Sequence, residues 1–277
     1  MNLTSIRLSG TVLLFASAGL AALVPARLAA GDEGPRNWRR TVRLYPDMPQ
    51  SQRSLPGNGS QYCAPVAASN GLMFLGRSGY PDLAPSSQAD LAAKLGTREY
   101  MDTSVRNGTS AGDVVAGLER YVVDCGYEVE SITYQGWRPV PDEVDRLDGH
   151  ADVERLASSL DGRTLVLLNV GWYRRNRAGS TFERVGGHWV TMVGAEPSNP
   201  PKLFIHDPSS RSREGQHEAV LVRQITGGEL TGNKRGLPTP ADRAWELGGE
   251  LRIKTSGGGN TSVLDGVIVV KLKHPNG

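Results

Sequence analysis

The sequence predicts an α+β fold in which a helical half packs on a C-terminal antiparallel sheet. Segments with helical spacing of apolar residues fill the region from about residue 64 to residue 125, and segments typical of strands dominate after residue 164. Of the 277 residues, 38% are hydrophobic and 22% are charged, which suits a packed core. No internal repeat is visible, so we expect a globular domain rather than a repeat array.

The first 30 residues have the pattern of an export signal. Arg7 supplies a positive charge, residues 11–24 form an apolar run, and small residues follow at Ala26, Ala29 and Ala30. The run is too short for a confident membrane span. We therefore expect cleavage near Ala30, a periplasmic or extracellular protein, and no stable membrane insertion after cleavage. An uncleaved N-terminal anchor is the alternative.

Residues 31–60 are expected to form an irregular N-terminal arm, because glycine, proline and charged residues are mixed there without a period. Residues 61–277 then form one expected domain, rich in turns since the chain has 34 glycines and 17 prolines. The formal net charge is only +2, which gives no reason to expect a nucleic-acid partner.

Four helices are expected in the domain. Residues 64–75 are apolar on nearly all sides, so this helix should be buried, and Gly76 is its expected end. Ser110 and Asp113 have the spacing of a capping box, and the helix that they begin carries Cys125 at the end of its inward face. Shorter helices are expected at residues 86–95 and 152–160.

The second half of the chain is expected to form the sheet. Strands are predicted at residues 127–134, 164–173, 181–184, 188–195, 202–207, 218–226 and 263–273, with loops over most of 227–262. A short turn joins the fourth and fifth of these strands. If the turn centres between Ser198 and Asn199, Asp207 lies opposite Val190, with His188 as its diagonal neighbour on the same face.

Cys63, His188 and Asp207 are the candidate catalytic residues. Cys63 precedes a helix, whose positive end favours a thiolate, whereas Cys125 lies near the opposite end of its own helix. A thiol nucleophile, an imidazole base and a carboxylate that orients the base form a known catalytic arrangement. Gly186-Gly187 before His188 predicts close backbone approach or the open rim of a cleft. A disulfide between the two cysteines is the simpler alternative.

Three segments resemble the motifs of papain-like cysteine peptidases. They are QYCAPVAASNGL at 61–72, GGHWVTMVG at 186–194 and FIHDPSS at 204–210. The nearest branch is that of the bacteriocin-leader-processing (double-glycine) peptidases and their wider relatives. The resemblance implies a papain-like fold, a peptide or protein substrate, and no metal or organic cofactor. It also implies that Cys63 is the nucleophile, His188 the general base and Asp207 the orienting acid.

An oxyanion donor is the least defined part of the predicted site. Peptidases of this kind usually carry a glutamine about six residues before the cysteine, and here that position is Gly57. Gln61 lies closer to Cys63 in the sequence than this position, and Gln52 lies further from it. Gln61 is our candidate for the oxyanion donor, and the alternative is that it is an ordinary turn residue. The chain also lacks the GxxxxGK[ST] motif expected if it were part of an ATP-driven exporter.

Two other functions are compatible with the same residues. An amidase or acyltransferase, for example one acting on cell-wall cross-links, could use the same three catalytic groups, because a triad defines acyl transfer rather than the acyl group. A binding module without catalysis, stabilised by a Cys63–Cys125 disulfide, is the other. An exported cysteine peptidase is the function that the sequence favours.

Overall fold

The structure, a computed structural model, describes residues 46–142, 144–209, 217–232, 237–249 and 259–275. They lie within one compact unit, Asn37–Gly277. The fold is mixed α+β as predicted, with most of the helices preceding one large, mainly antiparallel sheet. The expected signal segment, residues 1–30, lies outside the described residues. None of the helices within those ranges has the length and apolar character that crossing a membrane requires.

The helices agree with the sequence in number and approximate position. They are α1 (Cys63–Arg77), α2 (Gln88–Leu95), α3 (Ala111–Asp124) and α4 (Val153–Ser159), with 3-10 turns at Pro56–Gly59 and Pro81–Leu83. The Ser110 cap is confirmed, since its Oγ accepts a 3.2 Å hydrogen bond from the Asp113 N–H. Gly76 does not end α1. A Cβ there would lie 2.2 Å from the Ala84 Cβ, so Gly76 permits a close packing contact instead.

The described residues form one sheet of ten strands. They are β1 (Val129–Gly136), β2 (Arg146–Leu147), β3 (Thr164–Arg175), β4 (Thr181–Glu196), β5 (Lys202–His206), β6 (Glu218–Gln224), β7 (Glu229–Thr231), β8 (Thr239–Pro240), β9 (Trp245–Gly249) and β10 (Thr261–Leu272). Six of them pair in a closed ring, β3–β4–β5–β6–β9–β10, which makes a barrel. In a ring each strand has a neighbour on both sides, so hydrogen bonding fixes the spacing of adjacent strands.

Two expectations about the strands were wrong. Residues 181–184 and 188–195 belong to one 16-residue strand, β4, which runs without interruption through Gly186-Gly187. The region 227–262, expected to be mostly loops, contains β7, β8 and β9. These strands are short and rich in glycine, proline or charge, so they have little apolar alternation by which the sequence could reveal them.

The barrel separates two apolar clusters. Its interior is filled by alternate residues of the ring strands, including Val170, Val190 and Ile205, and α4 packs against this cluster. Helix α1 packs on the outer face, where Trp189 and Val193 contact the helical half. The Thr191 hydroxyl donates a 2.7 Å hydrogen bond to the backbone carbonyl of Ala67, which attaches α1 directly to β4.

The described part of the arm, residues 46–60, contains a single 3-10 turn and is otherwise irregular, as expected. It is nonetheless held to the domain at two of the three predicted motif regions, 61–72 and 204–210. The Met48 N–H donates to the Asn70 side chain of α1 at 3.0 Å, and the Gln50 N–H donates to the Pro208 carbonyl at 2.7 Å. The arm therefore connects the start of the helical half with the end of β5.

Candidate active site

Cys63 is the first residue of α1 and is half-buried. Pro65 follows in the first turn, where its missing N–H costs no helical hydrogen bond. The N–H groups of Cys63 and Ala64 donate to no acceptor within the described ranges. Both therefore remain available beside the sulfur, at the end of the helix where the backbone dipole favours negative charge.

His188 lies in β4, and its imidazole is buried, with 7% of the residue exposed. Alternation along the strand places His188 on the same face as Val190 and Met192, as predicted, so it extends the interior face of the barrel. Its Nε2 is 2.6 Å from Asp207 Oδ1. Because Asp207 occupies Nε2, Nδ1 is the ring nitrogen left for Cys63.

Asp207 follows the last residue of β5 and is 5% exposed. The predicted register is confirmed at this end of the hairpin, because Thr191 pairs with His206 and Met192 pairs with Ile205, as a turn centred between Ser198 and Asn199 requires. Nearer the turn a one-residue bulge at Val193 shifts the register.

The Ser209 N–H donates to Asp207 Oδ1 at 2.8 Å, so the carboxylate is held by a residue of its own loop as well as by His188.

The charges of the site favour an ion pair. Burial alone would lower the pKa of His188, but the charge and hydrogen bond of Asp207, together with the hydrogen bond and charge of Cys63, raise it to about 10. Burial also acts to raise the pKa of Asp207, and the charge and hydrogen bond of His188 and the bonds from Ser209 lower it overall. At neutral pH the pair is imidazolium and carboxylate, with Cys63 close enough to affect the imidazole.

Cys125 lies far along the chain in a different setting. It caps the C-terminal end of α3, and both cysteines are free thiols, so the alternative of a Cys63–Cys125 disulfide is wrong for this structure. Burial raises the pKa of the Cys125 thiol, and a hydrogen bond with Tyr121 only partly offsets this. The two cysteines thus lie at opposite ends of their helices, as the sequence predicted.

Gln61 is not engaged as an oxyanion donor by any contact among the described residues. Its amide oxygen lies near Gly108, at 3.5 Å from where a Cβ of that glycine would be, and its side chain forms no hydrogen bond within those residues. Gln52 is directed elsewhere, since its amide donates to the Pro49 carbonyl at 3.1 Å. Gly57, at the expected position, adopts a left-handed conformation with φ of 58°. Gln61 stays a prediction.

Gly186 and Gly187 allow close packing rather than an open cleft rim. A Cβ on Gly186 would lie 2.7 Å from the ring of Trp172. That indole stacks on the His188 imidazole, with ring centroids 5.9 Å apart and an interplanar angle of 26°. A Cβ on Gly187 would lie 2.0 Å from Nη2 of Arg184. The glycine pair thus admits one side chain on each face of β4, directly before the histidine.

Sequence reasoning missed the supporting residues of the site. Trp172 carried no signal beyond being an aromatic residue in a strand, which is usually a core residue. Ser209 could have been found, because Asp-x-Ser after a strand commonly forms a local side-chain to backbone turn. Comparison of the chain with protein-family models and with curated proteins finds no match.

Proposed function

We propose that this chain is an exported thiol hydrolase of papain-like architecture that cuts peptide bonds, with Cys63 as nucleophile, His188 as base and Asp207 as orienting acid. The 2.6 Å bond between His188 Nε2 and Asp207 Oδ1, in a buried site where Cys63 also raises the imidazole pKa, carries this proposal. A nucleophile, a base and a third group that orients the base are the required parts of covalent acyl transfer.

The architecture adds support. The nucleophile begins a buried helix, and the base and acid lie on adjacent strands of a barrel against which that helix packs. This division of the triad between a helix and a sheet is what the resemblance to papain-like peptidases implies. Export is supported by the N-terminal sequence pattern alone. N-terminal sequencing of protein collected from the periplasm or medium tests it, and a start at Met1 would contradict cleavage.

The chemistry follows from the arrangement. His188 holds the proton of Cys63, and the sulfur attacks the carbonyl carbon of the substrate. The carbonyl oxygen gains negative charge beside the free N–H of Cys63, where a donor contributes most because the site is partly shielded from water. His188 then gives its proton to the leaving amine, the C–N bond breaks, and a thioester remains.

Hydrolysis of the thioester completes the cycle. A water molecule gives a proton to His188 and attacks the thioester carbon, and the C–S bond breaks. The acid product leaves, and the thiolate–imidazolium pair is restored. Asp207 keeps its charge throughout, because its function is to orient the imidazole and to stabilise its protonated form.

A peptide carrying an electrophile tests the nucleophile directly. We expect the native protein to be labelled at Cys63, as mapped by mass spectrometry, and to hydrolyse unstructured protein substrates. Cys63→Ala should remove both properties while keeping the melting temperature. Cys125→Ala is the matched control and should keep both. Labelling of Cys125 alone, or turnover retained in Cys63→Ala, would refute the proposal.

A second experiment compares two substrate classes and identifies the acyl group on which the protein acts. Casein-derived peptides and peptidoglycan fragments are incubated with the native protein and with Cys63→Ala, and the products are identified by mass spectrometry. Cysteine-dependent cleavage of the peptides supports a peptidase. Cleavage or transfer confined to the peptidoglycan fragments would replace it with the amidase or acyltransferase alternative.

A further inference from the structure

A second polar cluster lies beside the glycine pair, apart from the triad. Its centre is Asp265, which is fully buried at 0% exposure. Asp265 Oδ2 accepts a 2.6 Å hydrogen bond from Arg184 Nε, and Oδ1 accepts bonds from Trp137 Nε1, at 3.0 Å, and from the Tyr173 hydroxyl. A carboxylate with three donors is well satisfied in the interior.

The backbone is adapted to this cluster on three strands. Asp265 is the extra residue of a bulge in β10, and Val185 is the extra residue of a bulge in β4, next to Arg184. Bulges redirect side chains and are common beside functional sites. Gly171 pairs with Gly187, and a Cβ on Gly171 would lie 2.3 Å from Asp265 Oδ1. The two glycines make room for the ion pair.

Arg184 has N–H donors that Asp265 does not use. Its Nε is used by Asp265, but Nη1 and Nη2 have no acceptor among the described residues. Its side chain is 16% exposed, so it is not fully enclosed by the protein. Because Asp265 holds one edge of the guanidinium and Gly187 lies beneath it, the orientation of the remaining N–H groups is fixed next to the residue that precedes His188.

The cluster also has an excess of positive charge. Burial and, after it, the charge of Arg184 lower the pKa of Arg138, which places the two guanidinium groups close together. Arg138 donates to the Gly232 carbonyl, and its guanidinium lies 5.3 Å from the centre of the Trp137 ring. Two arginines thus share the charge of one carboxylate, Asp265. Planar guanidinium groups with free N–H pairs match the geometry of a carboxylate.

We infer that Arg184 is a specificity-determining residue that binds a carboxylate of the substrate next to Gly187, the residue that precedes His188. This inference rests on the proposed function, and it adds that the preferred substrates are acidic peptides. The carboxylate can belong to an aspartate or glutamate side chain or to a peptide C-terminus. In either case Asp265 positions Arg184, and Arg184 contacts the substrate.

Matched electrophilic peptides test the inference. Probes with glutamate or glutamine at each of the three positions before the electrophile, and pairs ending in a C-terminal acid or amide, are compared by their rates of Cys63 labelling. We expect one acidic probe to react about 10- to 100-fold faster than its neutral partner, which corresponds to one charge-assisted bidentate contact. The position of the effect identifies the source of the carboxylate.

Variants assign the preference to Arg184. Arg184→Gln removes the charge, and Arg184→Lys keeps a charge for Asp265 but removes the fork. Both should abolish the preference for acidic probes while neutral probes still label Cys63. Arg174→Gln, an exposed arginine on β3, is the matched control and should retain the preference. Melting curves confirm that each variant is folded, and Arg184→Lys serves if Arg184→Gln is not.

The outcomes separate this inference from the proposed function. Equal labelling of Cys63 by acidic and neutral probes, or a preference that persists in both Arg184 variants, would overturn the carboxylate site while the hydrolase proposal stands. If no probe labels Cys63, the hydrolase proposal fails. The carboxylate site at Arg184 is then tested by calorimetric binding of the same peptides, without the electrophile, to Cys63→Ala. Tighter binding of the acidic peptides that Arg184→Lys removes supports the site. Equal binding of acidic and neutral peptides refutes it.

Discussion

Asp207 and Asp265 are both buried on the same barrel, yet their partners give them different properties. Asp207 pairs with His188, an imidazole that can gain and lose a proton and whose pKa this environment raises to about 10. Asp265 pairs with Arg184, which keeps its proton at any pH the protein survives. The comparison teaches that burial and ion pairing alone do not distinguish a candidate catalytic carboxylate from a structural one. The feature that separates the two aspartates is the titratable partner of Asp207.

The largest effect is expected on activity at the first pair. Asp207→Asn should lower Cys63-dependent turnover by on the order of 10²- to 10⁴-fold, because His188 loses both its orienting bond and the charge that stabilises its imidazolium. NMR titration should show the His188 pKa falling from about 10 toward its ordinary value. Asp265→Asn is the comparison variant, and an equal loss of labelling by neutral probes there would erase the distinction.

A large effect on stability is expected at the second pair. Asp265→Ala removes the carboxylate that compensates Arg184 in the interior, which typically costs about 3–5 kcal/mol in the free energy of unfolding. Urea denaturation measures the change. Asp242→Ala removes an exposed carboxylate whose ion pair with Arg243 is long, at 3.8 Å, and it should change stability by less than about 0.5 kcal/mol. Similar values for both variants would contradict this assignment.

Stability should depend on pH through the first pair. The pKa of His188 is raised, so its contribution is complete below about pH 6.5 and is lost as pH rises toward about 10. The pKa of Asp207 is lowered from 3.8, so its contribution is complete above about pH 4 and is lost on further acidification. Urea denaturation between pH 5 and 10 should therefore show an alkaline decline that Asp207→Asn reduces and Asp265→Asn leaves in place.

The smallest effects are expected at the two glycines, which separate the pairs. Gly186→Ala displaces Trp172 from His188, and Gly187→Ala displaces Arg184. Each should cost about 1–3 kcal/mol of stability, as overpacked sites do. Gly186→Ala should also lower the labelling of Cys63 by neutral probes, whereas Gly187→Ala should mainly lower the preference for acidic ones. Identical labelling profiles would show that the two faces of β4 are not independent.

The positions of the candidate triad could be predicted from the sequence because each residue lies in or directly beside a regular element. Cys63 begins an apolar helix, and alternation with a short turn aligned His188 and Asp207. The predicted register holds at His206 because the bulge at Val193 compensates for a turn that centres on Asn199, half a residue from the expected centre. Such compensation has no signature in a single sequence.

The second pair could not be predicted, because it depends on contacts between strands distant in sequence. Arg184 and Asp265 are brought together by two bulges and by the pairing of Gly171 with Gly187. An aspartate followed by glycine inside an otherwise apolar strand was the available signal for Asp265. It indicates an interruption of the strand, but not the partner. Gln61 was chosen by spacing alone, and spacing does not fix where a turn side chain points.

The closed ring of strands gives the two halves of the triad different mechanical support. His188 lies in β4, and Asp207 directly follows the neighbouring strand β5 of the barrel. Cys63 instead begins α1, which packs on the outer face of the barrel. We expect mild denaturant to detach α1 from the sheet first. Cys63 would then no longer react, while the ion pair of His188 and Asp207 would persist. Under the proposed function, the protein would then have an inactive form. It would regain activity when α1 packs on the sheet again, without refolding of the sheet.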